Sequence, residues 1–223
     1  MKRDIDINEI SDGKLYSAND LVKADCNDCK GCFDCCKGMG ESIILDPYDV
    51  YRLTTGLGVP FEMFLADKLA LNMFDGIILP HLNMSGTDEA CAFLNAEGRC
   101  SIHEFRPSIC RLFPLGRIYD EDGFQYFLQV NECSNKNRTK VKVKKWIDTP
   151  ELKKNDKFIL DWHDFVNDVQ ARVNSNLDEE LIKKINMFIL QHFFIERYNA
   201  EEFYSQFEER LKKAKAVIAT LTK

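Results

Sequence analysis

No stretch of this chain is apolar over the ~20 residues that a helical bilayer crossing needs. Its first residues, MKRDIDINEISDGK, are charged where a secretion signal would be apolar. A surplus of positive charge is also lacking: the net charge is −6, which argues mildly against nucleic acid as the main partner. One basic run, Lys136 to Lys145, has no aromatic residues interleaved for base stacking and reads as a solvated face. No P-loop, Gly-x-Ser-x-Gly or His-Glu-x-x-His is present, and no internal repeat or low-complexity segment. Histidines number only 4, and His81, His163 and His192 show no metal-ligand spacing among themselves. These absences point to a cytoplasmic chain without a membrane partner. In that compartment thiols stay reduced, and clustered cysteines bind metal more readily than they form disulfides.

Cysteine is what the chain has in quantity. Of 9 in 223 residues, 5 fall in the run CNDCKGCFDCC from Cys26 to Cys36, and Cys91, Cys100, Cys110 and Cys133 follow. A Cys-x-x-Cys turn aims two sulfurs at one ion, which ordinary core packing never requires. A zinc ion or a cubane iron–sulfur cluster takes four protein ligands, so the cysteines suffice for two sites, or for one with several left over. Adjacent Cys35 and Cys36 would point apart in an extended chain, which sets one of them toward a second site or the core. Cys26, Cys29, Cys32 and Cys36 fit the C-x2-C-x2-C-x3-C run of bacterial ferredoxins, with Lys37 in place of its proline. That spacing favours an iron–sulfur cluster, 4Fe–4S in particular, over zinc.

The second constellation is CAFLNAEGRCSIHEFRPSIC, followed by RLFP. Gly98 allows a tight turn between Cys91 and Cys100, and Pro107 suits the opening of a helical turn that would carry Cys110. Arg106 and Arg111 flank Cys110 and are candidates to offset the negative charge of a thiolate-bound cofactor. A carboxylate or phosphate ligand, or a local ion pair with Glu104, is the other use open to them. His103 could supply a nitrogen ligand, but among so many thiols it reads better as a supporting residue.

These two motifs resemble the YkgJ-type cysteine-cluster family, zinc- or iron-chelating proteins with a CxxCxxCC signature. The resemblance spans about residues 26 to 135 and includes DPYDVYRLTTGLGVPFEMFL. It implies Cys29, Cys32, Cys35, Cys36, Cys91, Cys100, Cys110 and Cys133 as metal ligands, with Cys26 additional to the core motif. The family is in turn distantly similar to flagellin lysine N-methylases, which implies that an iron–sulfur centre is chemically plausible. Methylation does not follow, because no glycine-rich loop is present to seat S-adenosylmethionine.

Periodicity predicts an α+β protein with more helix than strand. Residues 1–20 read as a polar arm, 21–135 as a metal-centred cysteine domain with short strands, and 136–223 as a helical region packed on it. Ser42–Leu45 reads as a strand, and Asp46-Pro47 as a helix start with a stop near Gly56. Phe61, Phe64, Leu65 and Leu69 mark a second helix, and Gly76–Met84 an edge strand interrupted by Pro80. A hairpin turns at Asp120–Gly123. Lys136–Lys145 is a connector before a helix start at Thr149-Pro150. Three amphipathic helices follow, the last opened by a capping box of Asn199 and Glu202. Little apolar core is expected in the cysteine half. The function expected is metal binding, by an iron–sulfur centre with a redox or protein-modifying role, serving an unidentified protein partner. The alternative is a zinc-binding structural or metal-handling module.

Overall fold

The computed structural model describes residues 6–26, 32–135, 137–175 and 178–222. Helix exceeds strand, 44% against 23%, and the strands are short and grouped in small sheets. No helix among the described residues is long and apolar enough to cross a membrane. The chain falls into two compact units, each assembled from separated segments: Ile44–Asn83 with Lys153–Lys223, and Lys2–Ile43 with Met84–Leu152.

In the first unit the helix Pro47–Leu57 starts as its sequence dictates. Asp46 accepts from the Asp49 amide (2.8 Å), and Asp49 accepts from that of Asp46 (3.2 Å). The helix ends two residues beyond Gly56, at Gly58, whose φ of 66° is the left-handed cap. The expected second helix is only one turn, Phe61–Phe64. Leu69 belongs instead to a strand, Leu69–Phe74, paired antiparallel with Ile77–Leu82 through a turn at Asp75-Gly76. Pro80 is tolerated there because its carbonyl accepts from the Leu45 amide (2.8 Å), which turns that carbonyl and the ring nitrogen away from the paired strand, where no N–H is required of it. The strand expected at Ser42–Leu45 reduces to one bridge, Ile44 to His81.

The three expected helices are present as Leu152–Val173, Glu179–Leu190 and Phe203–Leu221, the second extended by a π-helical turn, Gln191–Ile195. Their apolar faces meet in an aromatic core. Phe158 stands edge-on to Phe207 (4.6 Å between centroids), and Trp162 edge-on to Phe193 (5.1 Å). The capping box does not form: Glu202 precedes the last helix without a side-chain cap bond, and the Asn199 amide is held by Gln206 instead.

The second unit corrects three expectations. Residues 11–16 are not part of a loose arm: Ser11–Tyr16 is an outer strand of a three-stranded antiparallel sheet with Gly123–Gln129 and Leu115–Asp120. The hairpin between the last two strands turns where expected. The basic stretch is also structured, as a strand, Thr139–Lys142, paired with Leu21–Asp25, and a helical turn, Val143–Ile147. Lys136 lies outside the described residues. An apolar core exists here after all, built on Val22, Ala24, Leu112, Leu115, Leu128 and Trp146 among others. Burial at about 1.5–3 kcal/mol per large side chain makes this the main source of the unit's stability.

Arg210 provides a test of how the helical unit closes. Its guanidinium donates to the carbonyls of His192 (2.8 Å), Glu196 (2.6 Å) and Arg197 (2.7 Å), and lies 3.9 Å from the Tyr198 ring centroid. It thereby caps the carbonyls that the π-helical turn leaves open. Arg210→Ala is expected to cost about 2–3 kcal/mol in urea unfolding, since charge-assisted bonds are lost from a half-buried side chain. A loss below about 0.5 kcal/mol, the range of neutral surface changes, would deny it that role.

Candidate metal centre

Three segments of the second unit carry the thiols of the first motif and Cys133. The Leu21–Asp25 strand delivers Cys26 at its end, buried and in the apolar core. Cys35 and Cys36 occupy a 3₁₀ turn, Asp34–Cys36, closed by the Cys36 amide on the Phe33 carbonyl (2.9 Å). A turn of this kind rotates successive side chains by about a third of a circle, so the neighbours need not face apart as in a strand. The third segment follows the hairpin and holds Cys133. Cys29 lies outside the described residues.

Cys26, Cys32, Cys35 and Cys133 line one cleft, together with Asp34, Glu132, Ser134 and Asn135 against a floor of Phe113 and Pro114. Cys32 Sγ lies 3.9 Å from Ser134 Oγ, which ties the first motif to the Cys133 turn. Burial pushes the Cys133 thiol above its ordinary pKa. A hydrogen bond from the Asn135 amide and the charge of Arg138 pull the other way, whereas the proximity of Cys26 and Cys32 adds to the rise. Nη1 of Arg138 is buried with no hydrogen-bond partner among the described residues. A buried guanidinium nitrogen with no partner among the described residues, its charge felt at Cys133, suits a group that turns anionic when a cation replaces the thiol proton.

The second cysteine motif folds as a small knot. Gly98, at φ 71°, closes a turn in which Asn95 accepts from the amides of Gly98 (3.0 Å) and Arg99 (2.7 Å). Leu94 bridges to Cys100, and the Ser101 amide reaches the Phe93 carbonyl (2.8 Å). Cys91 lies on a two-residue strand against Met84. An antiparallel bridge joins Lys37, the residue after Cys36, to Ala90, the residue before Cys91. Burial raises the Cys100 pKa, against the Ile102 amide and the charges of Arg106 and Arg99, and Cys35 is near enough to add to the rise. The Cys35 thiol is raised chiefly by its hydrogen bond to Cys36, then by burial, with Arg106 opposing. Cys110 is half-buried in the short helix Ser108–Leu112 and does not line the cleft.

The two expected arginines differ in position. Arg106 bears electrostatically on Cys35 and Cys100, and its Nη1 meets Nε2 of His103 at 2.9 Å. Since arginine only donates, that imidazole nitrogen accepts, and it is not directed at a metal. Arg111 is buried, with Nε on the Ile147 carbonyl (3.0 Å) and a longer contact to Asp148 (3.9 Å), bracing its helix against Val143–Ile147. Arg138 was not singled out by spacing; only its burial distinguishes it from the other cations of its run.

Among the described residues no three His, Cys, Asp or Glu side chains converge on one point as in a closed coordination sphere. No disulfide joins the described cysteines. Soft thiol donors spread over a cleft wall, with carboxylates at hand, nonetheless fit a thiophilic metal or cluster as a donor set. Residues 28–149 match the model of one family, CxxCxxCC, described as "Putative zinc- or iron-chelating domain". No curated protein and no solved structure matches the chain.

Gly98 also tests how the two motifs are held together. A Cβ there would stand 2.8 Å from Cδ1 of Phe33 in a backbone conformation that disfavours side chains. Gly98→Ala is expected to cost about 1–2 kcal/mol and to reduce bound metal. Combining it with Phe33→Leu should recover part of the loss. Strict additivity of the two changes in thermal unfolding would show that the contact does not couple the motifs.

Proposed function

The chain belongs to the CxxCxxCC family, and from that premise we propose that it is a cytoplasmic protein holding an iron–sulfur cluster on its thiols, in a redox or protein-modifying role. One observation carries this reading: Cys26, Cys32, Cys35 and Cys133 are distributed around a single cleft. A cubane keeps its cysteine sulfurs further apart than one zinc ion does, so donors spread along a wall suit the larger group. The wider ligand set drawn on is Cys29, Cys36, Cys91, Cys100 and Cys110 together with those four. When bound, the cluster supplies a one-electron couple. The protein's part is to supply thiolates, exclude water at the Phe113 and Pro114 floor, and place Arg106 where its charge favours the anionic form.

A zinc tie is the second reading, favoured by the thiols lying on separate segments, a 3₁₀ turn, a knot and a post-hairpin turn, which a metal would fasten to one another. Anaerobic purification separates the two. The cluster reading expects brown protein with iron and acid-labile sulfide, bleached by dithionite. Colourless, zinc-only protein that is indifferent to dithionite after strictly anaerobic handling would overturn it in favour of zinc.

A further inference from the structure

The basic run reads in sequence as a solvated face, but the fold gives it a second strand and an apolar neighbour. Thr139–Lys142 runs antiparallel to Leu21–Asp25, with Leu21 opposite Lys142 and Val22 opposite Val141. Val22, Ala24 and Val141 turn inward, to the apolar core. Alternation sends Leu21, Lys23, Lys140 and Lys142 to the outer face, where all are exposed. Lys144 and Lys145 continue that face from the helical turn, whose Val143, Trp146 and Ile147 are buried.

We propose that this ribbon docks an acidic protein surface, with Leu21 as apolar anchor and the lysines around it as the charged rim. Among the described residues none of these lysines has an ion-pair partner, whereas Lys37, Lys68 and Lys157 each meet a carboxylate. The carboxylates nearest in the chain are engaged: Asp25 accepts from Thr139 Oγ1 (3.2 Å) and Asp20 from the Ser17 amide (2.7 Å). Leu21, 56% exposed among these charges, supplies the apolar contact that an interface adds to its polar rim. Net charge selects the class of partner. In a chain of −6, the surface beyond the ribbon is more acidic than the whole. An extended polyanion, a duplex or a membrane plane, would run on past the ribbon and be repelled there. A compact acidic patch on a folded protein meets the ribbon alone.

The ribbon also leads to the thiol cleft. Cys26, next after Asp25, and Asn135, just before the second strand, both line it. At about 3.3 Å per residue, Leu21 stands within about 17 Å of Cys26 along the strand, so a partner seated on the ribbon lies beside the cleft. Only the use of that nearness, to pass electrons or metal, rests on the metal-binding reading; the docking does not.

The test uses the full chain and a fluorescent peptide of glutamates around one central leucine, followed by anisotropy at low salt. The wild type should bind it, more weakly as salt rises. Lys140→Glu with Lys142→Glu, and separately Lys144→Glu with Lys145→Glu, should each weaken binding by about tenfold. Lys212→Glu with Lys213→Glu, which changes the net charge equally on the last helix, should leave it unaltered. Leu21→Ser should weaken binding severalfold without changing its salt dependence. Thermal unfolding of each variant confirms that these exposed changes leave the fold intact. Absence of binding by the wild type overturns the proposal, as does an equal loss from the Lys212 and Lys213 pair. Tighter binding of a DNA duplex, or of phosphatidylserine vesicles, than of the peptide assigns the ribbon to that other partner and overturns it too.

Discussion

A thiol buried in a cleft wall holds its proton, and the chemistry of this centre follows from what can take that proton's place. Burial raises Cys100 and Cys133, and its hydrogen bond to Cys36 raises Cys35 further. A bare thiolate there is costlier than in open water, because partial burial thins the solvent that would spread its charge. A cation bonded directly to sulfur removes that cost, and the low local polarity that penalised the thiolate then strengthens the bond. Arg106 and Arg138 act in the same direction from a greater distance. Free thiolates are thus disfavoured at Cys35, Cys100 and Cys133, and a bound cation would relieve that cost.

The frame around these thiols has an apolar core of its own. The cluster of Val22, Ala24, Leu112, Leu115, Leu128 and Trp146 is joined by the sheet and by Val143–Ile147, and metal is not needed to replace it. That division of labour matters for function. A metal that alone held the domain up would have to stay, whereas one carried on an apolar frame can be exchanged, reduced or oxidised without unfolding its carrier. Arg111 belongs to the frame, since its bond to the Ile147 carbonyl joins two helical turns of that core.

What was legible in the sequence was what depends on near neighbours. The capping box of Asp46 and Asp49, the hairpin at Asp120–Gly123 and the periods of the three long helices all lie within a few residues of their partners. Ser11–Tyr16 was not legible, because SDGKLY is polar and its partner strand lies more than 100 residues away. Leu69–Phe74 is different. Its apolar residues at 69, 71 and 73 alternate, and Asp75-Gly76 is a strong hairpin signal that ought to outweigh the helical spacing back to Phe61. The interleaving of the two units left no trace in composition. Cysteine spacing announced a metal, but spacing cannot say which sulfurs face one another, and it could not single out Arg138 from its basic neighbours.

That gap between spacing and space bears on the metal itself. The ferredoxin-like run groups Cys26, Cys29, Cys32 and Cys36 as one ligand set. In the fold, Cys26 and Cys32 line one cleft with Cys133, while the 3₁₀ turn holds Cys36 next to the Lys37–Ala90 bridge. The regular interval between the first and last of those cysteines thus spans a change of direction in the backbone. A motif can keep ferredoxin spacing without keeping ferredoxin geometry, and here the interval loses its force as a reason to choose iron over zinc. What favours a cluster is instead the placement of donors that are distant in sequence, with Cys133 brought by its turn to the same wall as Cys26 and Cys32.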